Sequence, residues 1–311
     1  MLKRVIVTGG TGVTGNALVR YLLNQGIQVT AFIRRNSCRK DSLPAHKNLT
    51  VLPCNMEEYD SIGKDLGKNY DAFFHLAWDG SMGKEKVDNR NQMFLQERNI
   101  FYMLKAVELC HEINCSVFVA TGSQAEYGRY TGVISEQTPT VPENGYGMAK
   151  LCAGQMTRVL CRKYGIRHIW ARLFSIYGPH DGAQSLIDTS ILKLKKGEPT
   201  AYTKGEQIWD YLYSYDAAKA LMLLAEKGKD GEIYCVASGD SRPLKEYIIQ
   251  MHEVVAPDII PIFGQIPYGE NQVMQMTPDI TKLVADTGFF PEYTFKEGIS
   301  EILMQEVHLI G

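Results

Sequence analysis

The segment from Lys3 to Gly15, KRVIVTGGTGVTG, constrains the fold of this chain more than any other feature. Arg4 to Thr8 is a short, mostly β-branched apolar run, which is typical of a buried parallel strand. Glycine then recurs every third residue, at Gly9, Gly12 and Gly15. The first glycine allows a tight turn, the second lets the backbone approach a phosphate, and the third lets helix and strand pack closely. The segment therefore predicts a strand and a turn that can hold the pyrophosphate of a dinucleotide.

A helix is predicted directly after this turn, from Val13 to Gln25, and Gly26 ends it. The helix is amphipathic, and its N-terminus presents free N–H groups and a positive dipole to an anion. Because ordinary turns also collect glycine, the nucleotide interpretation depends on the strand before the turn and the helix after it.

The end of the second predicted strand, Gln28 to Ile33, bears on the choice of cofactor. An NAD-selective site places a carboxylate there to hold the ribose 2′-OH, whereas this chain has Ile33 followed by Arg34 and Arg35. Two guanidinium groups can bind a 2′-phosphate through charge-assisted, bidentate contacts. These residues favour NADP(H), with NAD(H) possible. A solvated basic turn is the alternative interpretation.

Strand-like and helix-like runs alternate along the chain, which predicts a parallel sheet covered by helices on both faces. The predicted strands are Val5 to Thr8, Gln28 to Ile33, Leu49 to Pro53, Ala72 to Leu76, Ser116 to Thr121, His168 to Leu173 and Ile233 to Ala237. Further long helices are predicted over Arg90 to Ile113 and Tyr146 to Tyr164. The predicted fold class is α/β, a Rossmann-like doubly wound parallel sheet with a smaller, interwoven C-terminal substrate-binding lobe.

The regular pattern weakens from Tyr177 onward, where proline, glycine and aromatic residues cluster. Irregular segments of this kind form substrate-binding surfaces above the strand ends. We expect residues 1–176 plus about 208–238 to form the dinucleotide-binding domain. Residues 177–207 plus 239–311 are expected to form the substrate lobe.

The composition excludes several other classes of protein. The chain has 311 residues, of which 45% are hydrophobic and 22% charged, and a formal net charge of -2, so no basic excess indicates nucleic-acid binding. No apolar stretch is long enough to cross a membrane, and the apolar N-terminal run leads into the glycine turn, so we expect a cytoplasmic protein. The seven cysteines form no CxxC pair or cysteine-histidine cluster, which predicts reduced thiols and no metal site.

Three residues far from the glycine turn are suited to proton transfer. Tyr146 and Lys150 are four residues apart at the start of a predicted helix, so their side chains share one face. An ammonium group beside a phenol stabilises the phenolate and lowers the tyrosine pKa. Ser123, at the end of the fifth strand, can hydrogen-bond the same substrate oxygen. A YxxxK pair alone usually marks a helix surface, but with the glycine turn it predicts a hydride-transfer enzyme.

Several motifs together resemble the extended short-chain dehydrogenase/reductases that act on nucleotide sugars. They are TGGTGVTG, HLA at His75 to Ala77, Asn99 in a long helix, GSQAEYG at Gly122 to Gly128, YGMAK, ARLFSIYGP at Ala171 to Pro179 and, more weakly, WDYLYSYDAAKA at Trp209 to Ala220. The resemblance covers almost the whole chain.

The resemblance implies a role for each matching position. Tyr146 is implied as acid/base, Lys150 as its partner and a nicotinamide-ribose ligand, and Ser123 as the contact to the substrate oxygen. Implied cofactor contacts are Gly9, Thr11, Gly12, Val13, Gly15, Arg34, Arg35, Asn55, Met56, Leu76, Ala77, Asn99, Tyr146, Lys150 and Phe174. Implied substrate contacts are Trp78, Gln124, Ser175, Trp209 and Arg242.

One departure from the family pattern concerns the substrate diphosphate. Relatives often have an arginine where this chain has Trp209, so another cation, Arg242 or Lys204, must take its place. Either side chain can equally be an exposed surface charge. Trp78 and Trp209 can each belong to the core rather than to a substrate surface.

The two residues after Ser123 bear on the reaction. In the 4,6-dehydratases of the family an Asp-Glu pair stands there, whereas this chain has Gln124 and Ala125, which disfavours a dehydratase. Glu126 is shifted by one residue and is expected to face elsewhere. The favoured function is NADPH-dependent reduction of a nucleotide-linked 4-keto-6-deoxyhexose, and the alternative is an NAD-dependent nucleotide-sugar 4-epimerase. A non-catalytic NADP(H)-binding regulator is a minor alternative, because both Tyr146 and Lys150 are present.

The expected partners are a nucleotide-sugar substrate and a second copy of the chain. The two long helices can pair with their symmetry mates in the four-helix homodimer interface that is usual in the family. Burial of the same helix faces within one subunit is the alternative.

Overall fold

The computed structural model describes residues 1–80, 89–182 and 185–307. Its strands are β1 (Arg4–Thr8), β2 (Gln28–Ile33), β3 (Leu49–Pro53), β4 (Ala72–His75), β5 (Val117–Ser123), β6 (Val133–Ile134), β7 (Arg167–Leu173), β8 (Ser175–Tyr177), β9 (Ile208–Trp209), β10 (Tyr211–Tyr213), β11 (Glu232–Val236), β12 (Arg242–Pro243) and β13 (Thr277–Pro278). Its helices are α1 (Val13–Asn24), α2 (Met93–Glu112), α3 (Gly145–Tyr164), α4 (Leu186–Lys195), α5 (Ser214–Lys227), α6 (Leu244–Val255), α7 (Thr281–Thr287) and α8 (Phe295–Val307).

Seven strands form one parallel sheet in the order β11-β7-β5-β4-β1-β2-β3. The chain leaves β1 toward β2 and β3 on one side and returns to β4 on the other, so β1 and β4 flank the point where the strand order reverses. Thr8 pairs in register with His75, and His75 pairs with Ala120. The carboxyl ends of β1, β4 and β5 therefore meet at one sheet edge, where ligands of this fold bind.

The alternation of side chains along each strand explains why helices cover both faces of the sheet. Val5 and Val7 of β1 pack with α1 and α5 on one face, whereas Ile6 packs with α2 and α3 on the other. The same alternation divides β4, β5 and β7, so that Phe118 and Trp170 lie in the second core. The predicted fold class, a Rossmann-like doubly wound parallel sheet, is confirmed.

A smaller aromatic core lies among α4, α6, α8 and the short strands β8 and β10. It contains Tyr177, Ile191, Tyr213, Tyr247 and Phe295. The proposed division of the chain into a dinucleotide-binding domain and an interwoven substrate lobe stays a prediction.

Candidate functional site

The glycine turn has the close packing that its sequence predicts. Gly9 has a φ of 70°, and a Cβ there would lie 2.9 Å from the backbone nitrogen of Ala77. A Cβ on Gly15 would overlap the carbonyl oxygen of Gly9, so a side chain at this position would separate α1 from the turn. Gly12 is the N-cap of α1, and a Cβ there would lie 3.6 Å from the same carbonyl oxygen, which leaves its backbone open to a ligand. The turn is thus a cradle that side chains would fill.

The N-terminus of α1 has the donors needed for an anion. The N-cap residue Gly12 has no side chain to cap this end of the helix, which follows Thr11 and begins at Val13. The first-turn N–H groups of an uncapped helix, together with its dipole, favour a phosphate. The residues present therefore fit a dinucleotide pyrophosphate.

The two adjacent arginines after β2 have different surroundings. Arg35 makes an ion pair with Glu58, with 2.6 Å between its Nη2 and Oε1, and its backbone N–H donates to Asn55 Oδ1. Glu58 also accepts from the backbone N–H of Asn55, the residue before Met56. Arg34 is exposed, and its guanidinium has no hydrogen-bond or ion-pair partner among the residues that the structure describes. One guanidinium at this edge is therefore free for an anion and the other is engaged.

The loop after β4 is held against β1 and α2. The backbone N–H groups of Leu76 and Ala77 both donate to Thr8 Oγ1, at 3.2 and 3.1 Å. Asn99 bridges the same loop from α2, because its Oδ1 accepts from the Asp79 N–H and its Nδ2 donates to the Asp79 carbonyl. Asn99 thus shapes the loop next to the predicted cofactor path.

Ser123, Tyr146 and Lys150 meet at the end of β5. Ser123 lies near enough to the Tyr146 hydroxyl to act on its pKa, and Lys150 Nζ donates to the Thr121 carbonyl at 2.8 Å. Lys150 Nζ lies 5.8 Å from the centre of the Tyr146 ring, so both side chains lie on one face of α3 as predicted. The three residues that the sequence selected for proton transfer are adjacent in the fold.

Trp78 completes this cluster. The centre of its ring lies 3.9 Å from Lys150 Nζ. The ring also contacts the Tyr146 ring edge-on, with 5.9 Å between ring centres. Its Nε1 donates to Gln96, and only 8% of the residue is exposed. Trp78 is therefore buried beneath Lys150, and its role as a substrate contact stays a prediction.

The electrostatics of the cluster differ from the expectation in one respect. Burial lowers the pKa of Lys150 to about 7, and the buried carboxylate of Glu126 opposes this shift. Burial raises the pKa of Tyr146, while the Ser123 side chain and the charge of Arg90 act to lower it. The predicted net lowering of the Tyr146 pKa by Lys150 was wrong, because desolvation of the phenolate outweighs the favourable contacts.

Arg90 was missed by sequence reasoning. Its carbonyl accepts from the Tyr146 N–H at 2.8 Å, and its guanidinium lies 5.6 Å from the centre of the Tyr146 ring. This arginine precedes α2, and no sequence pattern connects it with a tyrosine 56 positions later.

Glu126 faces away from the cluster's open side. It is fully buried, and its Oε2 accepts from Arg172 Nε at 2.7 Å. The expectation that Glu126 does not face the substrate position is therefore confirmed by its burial. Gln124 Oε1, by contrast, is buried without a hydrogen-bond partner in the part of the chain that the structure describes.

The other predicted substrate and cofactor residues are spread over neighbouring elements. Phe174 is 5% exposed and packs with Tyr127, so its ring belongs to a small core, whereas Ser175 begins β8 and is partly exposed. Trp209 and Arg242 face each other across the β9–β12 pair. Their placement as substrate residues stays a prediction.

Trp209 and Arg242 each have a buried side-chain nitrogen without a hydrogen bond. Within the described residues, neither Trp209 Nε1 nor Arg242 Nε has a hydrogen-bond partner. Arg242 lies 3.4 Å from Asp240, donates to Gln250 and stacks over Tyr247. Arg242 is therefore already held by protein groups, while Lys204 is exposed.

A cavity of about 270 Å³ lies on another side of α1, between this helix and the start of α5. Its lining includes Arg20, His46 and Tyr215 but none of the three clustered residues at the end of β5. The candidate site is therefore defined by the glycine turn and the Ser123, Tyr146 and Lys150 cluster rather than by this cavity.

The described residues contain neither a candidate metal site nor a membrane-spanning helix. No group of three or more histidine, cysteine, aspartate or glutamate side chains in residues 1–80, 89–182 and 185–307 could hold a metal ion. In the same ranges, no helix combines the length and the apolar character that a membrane span requires.

Comparisons with known proteins agree with this geometry. Residues 5–237 match the model of the NAD dependent epimerase/dehydratase family. The chain is 24% identical to a UDP-N-acetyl-alpha-D-glucosaminuronate decarboxylase of Bacillus cytotoxicus, over 97% of each chain, and 25% identical to a CDP-abequose synthase of Salmonella typhimurium, over 96% of this chain and 97% of the other. The fold is similar to that of a UDP-glucose 4-epimerase of Thermotoga maritima, solved with UDP-glucose. The TM-score is 0.85 and the identity 21%, over 99% of this chain and 100% of the other.

Proposed function

Because this chain belongs to the NAD dependent epimerase/dehydratase family, we propose that it is an NADPH-dependent reductase of a nucleotide-linked 4-keto-6-deoxyhexose. The family is that of the extended short-chain dehydrogenase/reductases, which the sequence motifs indicated. One curated relative is named a CDP-abequose synthase, an enzyme that makes a nucleotide sugar.

The observation that carries the proposal is the charge at the end of β2. Ile33 is buried at the position of the NAD-selective carboxylate, and Arg34 beside it is exposed and free of a carboxylate in the described residues. A free guanidinium binds a 2′-phosphate, and the absence of a ribose-binding carboxylate at Ile33 removes the feature that selects NAD(H). NADPH in turn favours a net reduction over a reaction in which the cofactor returns its hydride.

The turn after Ser123 supports a reduction over a dehydration. Gln124 and Ala125 carry no carboxylate, and Glu126 is held in the core by Arg172. A dehydration needs an acid and a base next to the hexose to remove water, and this turn supplies neither to the substrate side.

The mechanism follows from the positions of the three clustered side chains. When bound, NADPH supplies a hydride to C4 of the keto sugar. Tyr146 donates its phenolic proton to the C4 oxygen, and Ser123 donates a hydrogen bond to the same oxygen. Lys150, when protonated, stabilises the negative charge that develops on the oxygen and then on the phenolate. A pKa of about 7 for Lys150 makes this charge sensitive to whatever binds beside it.

A 4-epimerase is the second candidate, favoured by the pairing of Arg35 with Glu58. This ion pair leaves one arginine, rather than two, for a 2′-phosphate. The fold is also that of the Thermotoga maritima UDP-glucose 4-epimerase, although a likeness at 21% identity supports the fold alone.

We also propose that the protein forms a homodimer through α2 and α3. These helices pack against each other, and apolar side chains at helical spacing remain exposed on both. They are Phe94 (84%), Phe101 (51%), Met148 (49%), Met156 (44%) and Val159 (63%). An apolar surface shared by two adjacent helices is suited to a second copy of the same surface.

The proposed reaction is tested by NADPH absorbance at 340 nm. The purified protein is mixed with a panel of nucleotide-linked 4-keto-6-deoxyhexoses, each generated in place by a dehydratase. Loss of absorbance with one of them, and not with the Tyr146→Phe variant, establishes a reductase. Conversion of a nucleotide hexose to its 4-epimer without net NADPH loss identifies an epimerase. Cofactor binding without either reaction would favour the non-catalytic regulator.

A further inference from the structure

A buried carboxylate lies directly behind Ser123. Glu126 is 0% exposed, and its Oε1 accepts from the Ser123 backbone N–H at 2.8 Å. A second hydrogen bond holds the same turn, because Ser123 Oγ accepts from the Ala125 N–H at 3.2 Å. The Glu126 side chain thus fixes the residue at which β5 ends.

Glu126 is itself held by two side chains of β7. Arg172 Nε donates to Oε2 at 2.7 Å, and Trp170 Nε1 donates to both oxygens, at 3.1 and 3.2 Å. Arg172 also donates to the Tyr127 hydroxyl at 2.8 Å. All the hydrogen bonds to the carboxylate come from rigid parts of the sheet and its turn, so the carboxylate has little freedom to move. A fully buried ion pair needs this many donors to offset its desolvation.

The negative charge of Glu126 also acts on the other two residues of the cluster. It raises the pKa of Lys150, against the larger lowering by burial, and it raises the pKa of Tyr146. Both effects favour the protonated forms, which are the forms that a proton donor and its cationic partner need. His75 of β4 lies near Lys150, and Arg172 of β7 is paired with Glu126. His168 of β7 and Arg158 of α3 line a small cavity with Glu126. Arg90, before α2, lies near Tyr146, and Tyr127 of the turn lies near Arg172.

We propose that Glu126 is a positioning residue: its carboxylate sets the place of Ser123 through the backbone N–H. The proposal rests on the proposed function, in which Ser123, Tyr146 and Lys150 move a proton to the substrate oxygen. Direct contact of Glu126 with substrate is excluded by its complete burial.

The experiment compares two double variants that share Arg172→Met, so that neither contains an unpaired buried arginine. Glu126→Gln/Arg172→Met keeps a side-chain oxygen for the Ser123 N–H but removes the charge. Glu126→Leu/Arg172→Met removes the oxygen as well. The single variant Glu126→Gln is the third protein, in case the double variants do not fold.

Turnover measurements distinguish a positioning role of Glu126 from a purely stabilising one. We expect the Gln double variant to keep its kcat within about threefold of the wild-type value at its optimal pH. The Leu double variant is expected to lose about 10-fold or more in kcat with an unchanged KM, because a displaced Ser123 weakens the transition state rather than substrate binding. Equal kcat values for the Gln and Leu variants would overturn the positioning role.

A further readout needs no turnover, so it remains decisive if the proposed reaction is wrong. In crystal structures, the Ser123 N–H is expected to keep its hydrogen bond to the side chain of residue 126 in the Gln variant, with Ser123 Oγ unmoved. In the Leu variant, Ser123 Oγ is expected to move away from the Tyr146 hydroxyl. An unmoved Ser123 Oγ in the Leu variant overturns the positioning role.

Discussion

At the scale of single residues, the site depends on a buried lysine that contacts no carboxylate within residues 1–80, 89–182 and 185–307. Lys150 is 2% exposed, and its ammonium group has the Thr121 carbonyl and the Trp78 ring as neighbours. A carbonyl and a π face compensate only part of the lost hydration, so the charged form is disfavoured and the pKa falls to about 7. The protein keeps a costly group at this position, which is typical of a functional site.

Burial of the charged Lys150 ammonium lowers the stability of the folded protein, and this leads to a prediction for Lys150→Met. The folded-state pKa of Lys150, about 7, lies below the unfolded value near 10.4, so the unfolded state binds the extra proton between these pH values. Wild-type stability therefore rises with pH in this window, and the variant lacks that rise. We expect the variant to be more stable than the wild type at pH 6. The difference in the free energy of unfolding should shrink by roughly 1.4 kcal/mol per pH unit between pH 7 and 10.

Urea unfolding of both proteins at pH 6, 7, 8 and 9 measures this difference, and all other titrations cancel in the comparison. A difference that is constant across the series would mean that Lys150 titrates normally in the folded protein.

The second prediction at this scale concerns the Tyr146 hydroxyl. Tyr146→Phe removes the proposed proton donor while keeping the ring that packs against Trp78. We expect turnover to fall by about 10²- to 10⁴-fold, with NADPH affinity nearly unchanged. Steady-state kinetics and fluorescence titration with NADPH check the two parts. Near wild-type turnover would remove Tyr146 from the mechanism.

At the scale of elements, the turn between β1 and α1 allows a test with a matched control. A Cβ at Gly15 would overlap the Gly9 carbonyl, whereas a Cβ at Gly10 would meet Ala31 and Val19 side chains at an ordinary 3.6 Å. We expect Gly15→Ala to lower the free energy of unfolding by about 1–3 kcal/mol and to weaken dinucleotide binding, because α1 must move away from the turn. Gly10→Ala should retain both properties. Thermal unfolding and cofactor titration of the two variants check this, and equal behaviour would show that the close approach at Gly15 is not needed.

The end of β2 gives a prediction about cofactor preference. Arg34→Ala removes the free guanidinium, so we expect kcat/KM with NADPH to fall 10-fold or more while kcat/KM with NADH changes little. Arg35→Ala should have the smaller effect, because Arg35 is paired with Glu58. Kinetics with both cofactors check the prediction. Similar losses for NADPH and NADH in the Arg34 variant would indicate that it does not recognise a 2′-phosphate.

The elements that sequence reasoning located well are those with strong local patterns. Predicted β1 to β4 agree with the structure to within one residue, since each is a short apolar run flanked by turn residues. The main boundary errors are at β5, which extends beyond Thr121 to Ser123, and at α2, which begins at Met93 rather than Arg90. Around residues 89–92 a turn bonded from the Gln92 N–H to the Asn89 carbonyl replaces the predicted first helical turn.

Contacts between distant parts of the chain could not be predicted. The Arg35–Glu58 and Glu126–Arg172 pairs join residues 23 and 46 positions apart, and periodicity carries no information on such pairs. Two consequences followed. The sequence assigned both Arg34 and Arg35 to a phosphate, and it left Glu126 without a role. The Ser123, Tyr146 and Lys150 cluster was predictable because strand order and helix spacing bring these residues to one edge.

At the scale of the whole molecule, the exposed faces of α2 and α3 predict how subunits associate. Phe94 and Phe101 are seven residues apart on α2, and Met148 and Met156 are eight apart on α3, so each pair lies on one helix face. If a second copy covers these faces, a charge at their centre must lose its hydration, which disfavours association by several kcal/mol. We therefore expect Phe101→Glu to convert a dimer into a monomer.

Light scattering after size-exclusion chromatography measures this effect, with Ile260→Glu as the control. Ile260 is an exposed apolar residue, at 81%, that lies beyond α6 and away from α2 and α3, so its variant should keep the wild-type mass. A monomeric wild-type protein, or a Phe101→Glu variant that remains dimeric, would contradict the proposed interface. Because α3 also carries Tyr146 and Lys150, loss of the partner is expected to lower thermal stability and turnover together in the Phe101→Glu variant, whereas the Ile260→Glu variant should retain both.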